Sequence, residues 1–146
     1  MVNCIFLIHE SGLCLVSRDY IGNSSKVNLF SGLLSAISSF SRTMIGEDVN
    51  EIRMEHHRIL YNTCETILVA LITSDSRLSK RKLTYSMRKI AQTFLAKYTV
   101  HLEQEILEPR FYEGFANTID EIVLTSGIVK NFKSQQGEKS SITSVL

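Results

Sequence analysis

The side chains best able to do chemistry are His9, His56, His57, His101 and the cysteines Cys4, Cys14 and Cys64, with the carboxylates and serines beside them. His9-Glu10 followed by Ser11 has the residue types of a hydrolase fragment. No GxSxG elbow or recognisable aspartate partner accompanies it, so a polar hairpin is the simpler account. His56 and His57 are adjacent, and neighbours on a strand point to opposite faces and do not converge on one metal. A turn between two strands is the expected reading. Cys64 would need a distant base and a lowered pKa to act as a nucleophile, and nothing near it in the chain supplies them. His101 falls on the apolar side of a helix, which predicts a hydrogen-bonded core histidine rather than a catalyst. The glycines are scattered, and the phosphate-binding patterns GxGxxG and GxxxxGKS/T are absent, which argues against a nucleotide hydrolase. Asn23-Ser24-Ser25 could receive an anion on free amides, but an ordinary turn and helix cap account for it. No catalytic residue, metal site or cofactor is expected.

Charge is more informative than any single residue. From Arg77 through Lys97 the chain holds Arg77, Lys80, Arg81, Lys82, Arg88, Lys89 and Lys97 with no acidic residue between them. On a helical wheel Arg81 and Arg88 lie together and Lys82 and Lys89 form a neighbouring stripe, opposite Leu83, Ile90 and Phe94. These four cations are expected to be available to an anionic partner. Several positive charges near a helix N-terminus also oppose the helix dipole, a cost that an acidic partner or anionic lipid relieves. The next segment reverses sign, with Glu103, Glu105, Glu108, Glu113, Asp120 and Glu121 against Arg110 alone among basic residues.

These local excesses cancel: 16 Lys and Arg against 15 Asp and Glu leave a net charge of +1. A protein that grips nucleic acid with its whole surface is therefore disfavoured, and no basic groove with stacking aromatics is evident. At 146 residues, 44% apolar and 21% charged, the composition fits one domain with a substantial core. Three cysteines are too few for a disulfide framework. The longest apolar run, Ile67 to Ile72, is far short of the roughly 20 residues that cross a bilayer. The opening MVNCIFLIHES lacks the basic n-region and small-residue cleavage site of a signal peptide, so the cytosol, with peripheral membrane contact through the basic helix, is the expected compartment.

The elements that position these residues follow from hydrophobic periodicity. Val2 to His9 and Leu13 to Asp19 read as a hairpin around Glu10-Ser11-Gly12, with apolar residues on both faces and hence helices on both sides. A register with Ile8 near Cys14 sets Cys4 roughly 20 Å away along the ladder, too far for a Cys4–Cys14 disulfide. Ser25 or a neighbour caps a helix in which Leu29, Phe30, Leu33, Leu34, Ile37, Phe40, Met44 and Ile45 share one arc, ending near Gly46. Its other face, Ser31, Gly32, Ser35, Ser38, Ser39 and Arg42, is expected to stay outside and admit a close backbone approach. Val49 to Glu55 and Arg58 to Cys64 read as a mixed-polarity pair near a sheet edge, while Thr66 to Thr73 reads as a buried central strand. A long helix begins near Ser79 and is broken or ended by Pro109. A last helix runs from about Gly114 to Leu124, with Phe115, Ile119, Ile122 and Val123 inward. Residues 1–130 form the domain and 131–146 a polar frayed tail.

The β-β-α-β-β-β-α-α order resembles the longin-like (profilin-like) fold, an α/β architecture in which a five-stranded, mainly antiparallel sheet lies between helical layers, related by rearranged topology to roadblock domains. MVNCIFLIHESGLCLVSRDY resembles its opening hairpin. Pro109-Arg110-Phe111-Tyr112-Glu113, Thr118-Ile119-Asp120-Glu121-Ile122 and Ser126-Gly127-Ile128 resemble the third-helix region of clathrin-adaptor small chains. Asn28 to Ile45 departs from those chains and is more similar to prokaryotic longin- or roadblock-like proteins. The resemblance implies a non-catalytic interaction module, a homo- or heterodimerising scaffold in a trafficking or small-GTPase-associated complex, with a GTPase or a larger adaptor or tether subunit as partner. It also implies a dimer surface on the first helix and the neighbouring edge strand: Ser31, Gly32, Ser35, Ser39 and Arg42 with Val49, Glu51, Arg53 and Glu55. The alternative is a peripheral module that binds anionic lipid through Arg81, Lys82, Arg88 and Lys89.

Overall fold

The computed structural model describes residues 2–22, 27–74 and 77–129. Strands β1 (Val2–His9) and β2 (Cys14–Asp19) form the opening hairpin. Helix α1 (Val27–Phe40) follows and runs on as a single π-helical segment, Ser41–Ile45. Strands β3 (Glu51–Arg53), β4 (Arg58–Cys64) and β5 (Ile67–Thr73) precede helices α2 (Lys80–Glu103), α3 (Pro109–Tyr112) and α4 (Phe115–Thr125). The expected Ser25 cap, the Asn23-Ser24-Ser25 anion site and the tail from 131 lie outside the described residues.

The five strands form one antiparallel sheet in the order β2-β1-β5-β4-β3. The uninterrupted apolar run of β5 occupies the centre, where both faces are covered. Ile8 stands opposite Cys14 and Cys4 opposite Asp19, so Cys4 and Cys14 are both free thiols. The expected strand Val49 to Glu55 is shorter than its alternating pattern suggested. Only Glu51–Arg53 pairs with β4, because the chain turns at Glu55-His56 and Met54 N–H closes that turn on the His57 carbonyl at 2.8 Å.

Helices α2, α3 and α4 cover one face of the sheet and α1 the other. The first face holds the larger core: Leu83, Ile90 and Phe94 of α2 meet Leu7, Leu60, Val69 and Leu71 of the strands. Phe94 is its aromatic hub, with ring centroids 4.9 Å from Tyr98, 5.3 Å from Tyr112 and 5.1 Å from Phe115. Ser79 caps α2 by accepting the Lys82 N–H at 3.4 Å. The helix ends at Glu103, and Pro109 begins α3 instead of breaking α2, since its missing N–H costs nothing in a first turn.

Helix α1 sits differently from expectation. Its apolar arc is wider than the contact it makes, so one flank meets the sheet and the other does not. Phe30 and Leu34 pack on Phe6, Ile8, Tyr61 and Leu68. Leu29, Leu33, Phe40 and Met44 are 70, 54, 61 and 69% exposed, and Ile45 lies open beside them. Ser31, expected outside, is 3% exposed beneath the helix, and Ser41 is buried with its hydroxyl donating to the Glu47 carbonyl at 2.6 Å. Small side chains on this line let α1 settle close to the sheet, which rotates the remaining apolar flank into solvent.

Candidate functional site

The residues that suggested catalysis do not assemble. His9 stays in the hairpin, where its Nδ1 accepts the Ser11 N–H at 3.1 Å and lies 3.0 Å from the Ser11 hydroxyl. His56 and His57 sit in the exposed β3–β4 turn. Cys64 ends β4, with Glu65 in the following hairpin turn. His101 is half-buried against the rings of Tyr98 and Phe111. Its Nδ1 finds no hydrogen-bond partner among the described residues, so it is not the hydrogen-bonded core histidine expected. Among the described residues no group of three His, Cys, Asp or Glu side chains could hold a metal ion. A hollow of about 570 Å³ lies between the sheet end and the C-terminal half of α2. Leu95, Leu102 and Leu107 line it together with His9 and the carboxylates of Glu10, Glu65, Glu103 and Glu105. Of its two threonines, Thr99 spends its hydroxyl on the Leu95 carbonyl.

What the fold does present is surface. On the α1 side, Leu29, Leu33, Phe40 and Met44 recur at spacings that keep them on one outward stripe, flanked by the exposed Gly32, Ser39 and Arg42. Ser35 is half-buried, its Oγ 3.4 Å from where a Cβ on Gly12 would lie. Arg42 is held by Asp48 at 2.9 Å. Among the described residues nothing covers this stripe, and a contiguous exposed apolar surface marks a site of interaction.

β3 is the sheet's terminal strand, with a neighbour on one side only among the described residues, and its Ile52 packs into the cluster on the α1 side of the sheet. The residues expected there have different surroundings. Val49 is half-buried and packs into the core beneath α1. The Glu51 carboxylate is drawn into an ion cluster with Arg53 at 3.4 Å and Arg58 and Lys80 at 3.6 Å. Arg53 and Glu55 are exposed, Glu55 lying 3.6 Å from His56. Sequence reasoning placed the whole apolar arc of α1 inward; the structure keeps Phe30 and Leu34 there and turns Leu29, Leu33, Phe40 and Met44 out, with Ser31 beneath the helix. The excess of large apolar residues on α1 over what one sheet face can cover was the signal available.

The second surface is on α2. Arg81, Lys82, Arg88 and Lys89 are all exposed, opposite the buried Leu83, Ile90 and Phe94, as the helical wheel predicts. A site the sequence did not reveal is the joint between β2 and α4. Arg18 donates from Nε and Nη2 to the two oxygens of Asp120 at 2.9 and 2.8 Å, and the Tyr20 hydroxyl donates to Asp120 Oδ1 at 2.6 Å. Burial first, and then the Asp120 carboxylate, push the Tyr20 phenol well above its ordinary range. This is a structural clamp, and no local pattern announces a contact across a hundred residues.

No protein-family model and no curated protein sequence matches the chain. Solved structures do match its fold. A roadblock/LC7 domain from Streptomyces avermitilis aligns with a TM-score of 0.56 at 16% identity, covering 68% of this chain and 86% of that one. Myxococcus xanthus MglB aligns with a TM-score of 0.53 at 17% identity, covering 68% and 85%. A chain in a homology model of the full-length AP-3 complex, in a stretched open conformation, aligns with a TM-score of 0.60 at 13% identity, covering 99% and 95%. The fold is thus roadblock/longin-like, in agreement with the element order. Within it, the residues that carried the adaptor resemblance have structural posts: Tyr112 is buried with its hydroxyl on the Ile106 carbonyl, and Asp120 holds Arg18. No helix among the described residues is long and apolar enough to cross a membrane.

Proposed function

We propose that this chain is a non-catalytic protein-interaction module that dimerises, with itself or with a related chain, and serves as a scaffold in a trafficking or small-GTPase-associated assembly. The observation that carries the reading is the outward apolar stripe of α1, Leu29, Leu33, Phe40 and Met44, on a molecule whose sheet also ends in the open strand β3. Exposed apolar area gains by being covered, and an edge strand can extend its sheet across a partner. The dimer surface is therefore this stripe with Gly32, Ser39, Arg42, Arg53 and Glu55 around it. Ser31, Ser35, Val49 and Glu51 belong to it as supports, seating α1 and fixing β3. The likeness to MglB and to a chain of the AP-3 complex supports a place in a larger assembly.

Light-scattering mass across protein concentrations, with contacts mapped by cross-linking, tests the proposal. The expected result is a dimer linked through α1 and β3. Phe40→Glu or a bulky residue at Gly32 should reduce association while the circular dichroism of the fold is retained. A wild-type chain that is monomeric throughout and captures no related chain through α1 would refute it.

A further inference from the structure

The proposed dimer surface leaves the opposite side of the molecule unused, because α1 and α2 lie on different faces of the sheet. On α2, Tyr85 is 58% exposed and sits at the centre of a ring of cations: Arg81 and Lys82 one turn before it, Arg88 and Lys89 one turn after. Four other arginines are matched: Arg18 to Asp120, Arg42 to Asp48, and Arg53 and Arg58 to Glu51. Among the described residues these four cations have no carboxylate within salt-bridge distance, although Arg81 and Lys82 stand in the electropositive first turn of a helix with no acidic side chain there. Lys80, Arg81, Thr84, Tyr85 and Arg88 line an open hollow of about 560 Å³. No ion pair among the described residues takes up this charge, and the helix dipole opposes Arg81 and Lys82 in the first turn.

We propose that this face of α2, with Tyr85 at its centre, docks on the surface of an anionic phospholipid bilayer. The charge is complementary, and the arrangement fits a plane better than a shaped partner. Lys and Arg on flexible stems surround a single aromatic ring, whereas the centre of a protein interface is depleted of Lys and built from several apolar anchors. A ring with an apolar body and a polar tip is suited to the headgroup level, with the flanking stems reaching to the phosphates. A nucleic acid would want a basic groove with successive stacking rings, and this convex helix offers one ring. Polarity also orients the contact. The cations occupy the N-terminal half of α2, while Glu103, Glu105, Glu108 and Glu113 follow at and after its other end, so the molecule meets the membrane basic end first.

Co-sedimentation with phosphatidylcholine vesicles, with and without phosphatidylserine, tests this. Binding is expected to vesicles containing phosphatidylserine alone, to weaken with salt, and to fall on the order of a hundredfold in Arg88→Glu/Lys89→Glu, which changes the face by about four charges. Arg81→Gln/Lys89→Gln gives the same direction with a gentler change, and a thermal melt confirms that each variant is folded. The chain has no tryptophan, so Tyr85→Trp reports on this site by itself: its emission should shift to the blue on phosphatidylserine vesicles and stay put on phosphatidylcholine. Absence of binding at low salt, binding unchanged in folded charge variants, or a Tyr85→Trp signal indifferent to the vesicles would overturn the proposal. So would equal retention by polyglutamate or single-stranded DNA, which marks a generic polyanion patch. None of these outcomes depends on whether the α1 surface dimerises, since the Phe40→Glu chain carries the same α2 face.

Discussion

Arg18 and Asp120 meet through two parallel hydrogen bonds of 2.9 and 2.8 Å, joining the edge strand β2 to the last helix. Asp120 is buried and Arg18 is not fully so, its side chain 28% exposed. Removing the buried carboxylate leaves a partly desolvated guanidinium and the Tyr20 hydroxyl without this acceptor, so Asp120→Ala is expected to cost about 3 kcal/mol. Tyr20→Phe loses one hydrogen bond to a charged group, about 2 kcal/mol. Arg18→Ala/Asp120→Ala should cost less than the two single changes added, because each single change strands the other group. Urea denaturation of the four chains measures all of this, and simple additivity would show the pair to be uncoupled.

Alkaline pH should unfold the protein through groups that burial keeps protonated. Burial raises the Cys14 thiol from 9.0 to about 11 and the Tyr61 phenol from 10.0 to about 12. The unfolded chain releases these protons first, so above about pH 9 it binds fewer protons than the folded chain and stability falls as pH rises. The contribution is whole below about pH 9, declines first through Cys14 between about 9 and 11, and then through Tyr61 between about 10 and 12. The urea midpoint followed from about pH 8 upward should begin to drop near 9, and Cys14→Ala should delay that onset by about one unit. A midpoint flat to about pH 11 would mean that these side chains meet water in the folded state.

The three thiols should separate by reactivity. Cys4 and Cys14 are buried, the Cys14 Sγ donating to the Val16 carbonyl at 3.4 Å, while Cys64 is half-buried at the end of β4. A rise of about two units leaves Cys14 with roughly a hundredth of the thiolate of an ordinary cysteine near neutrality, before access is counted. Brief alkylation at about pH 8 should therefore label Cys64 first, with Cys4 and Cys14 labelled on denaturation. Peptide mass spectrometry reads the sites directly, and early labelling at Cys14 would contradict its burial.

Periodicity carried much of this fold, and its limits are visible in particular residues. The run Ile67 to Ile72 read as a doubly covered strand, and Leu83, Ile90 and Phe94 as one face of a helix, so β5 and α2 were legible. The exposed cations of α2 followed from the same wheel. In α1 the wheel put the whole arc inward and was only partly right, because an arc that includes both Leu29 and Leu34 is wider than any single contact and leaves the helix free to rotate. Glu51 illustrates a different limit: its place in β3 was readable, but its cluster with Arg58 and Lys80 depends on which elements the topology brings together. Asp120 is the extreme case, its partners Arg18 and Tyr20 lying at the other end of the chain.

The rotation of α1 can be measured with two adjacent leucines. Leu34 is 1% exposed in the cluster with Phe6 and Ile8, whereas Leu33 points outward. Leu34→Ala should leave a cavity and cost about 2–5 kcal/mol. Leu33→Ala removes a side chain with little intramolecular packing and should change the stability of the isolated fold by less than about 0.5 kcal/mol. Association should respond in the opposite way, the apparent dissociation constant rising about tenfold or more for Leu33→Ala when the stripe is covered by a partner. Denaturation at a concentration where the chain is monomeric separates the two effects from light scattering at a higher one. Equal costs at both positions would place Leu33 in the core after all, and the outward apolar stripe would lose its central residue.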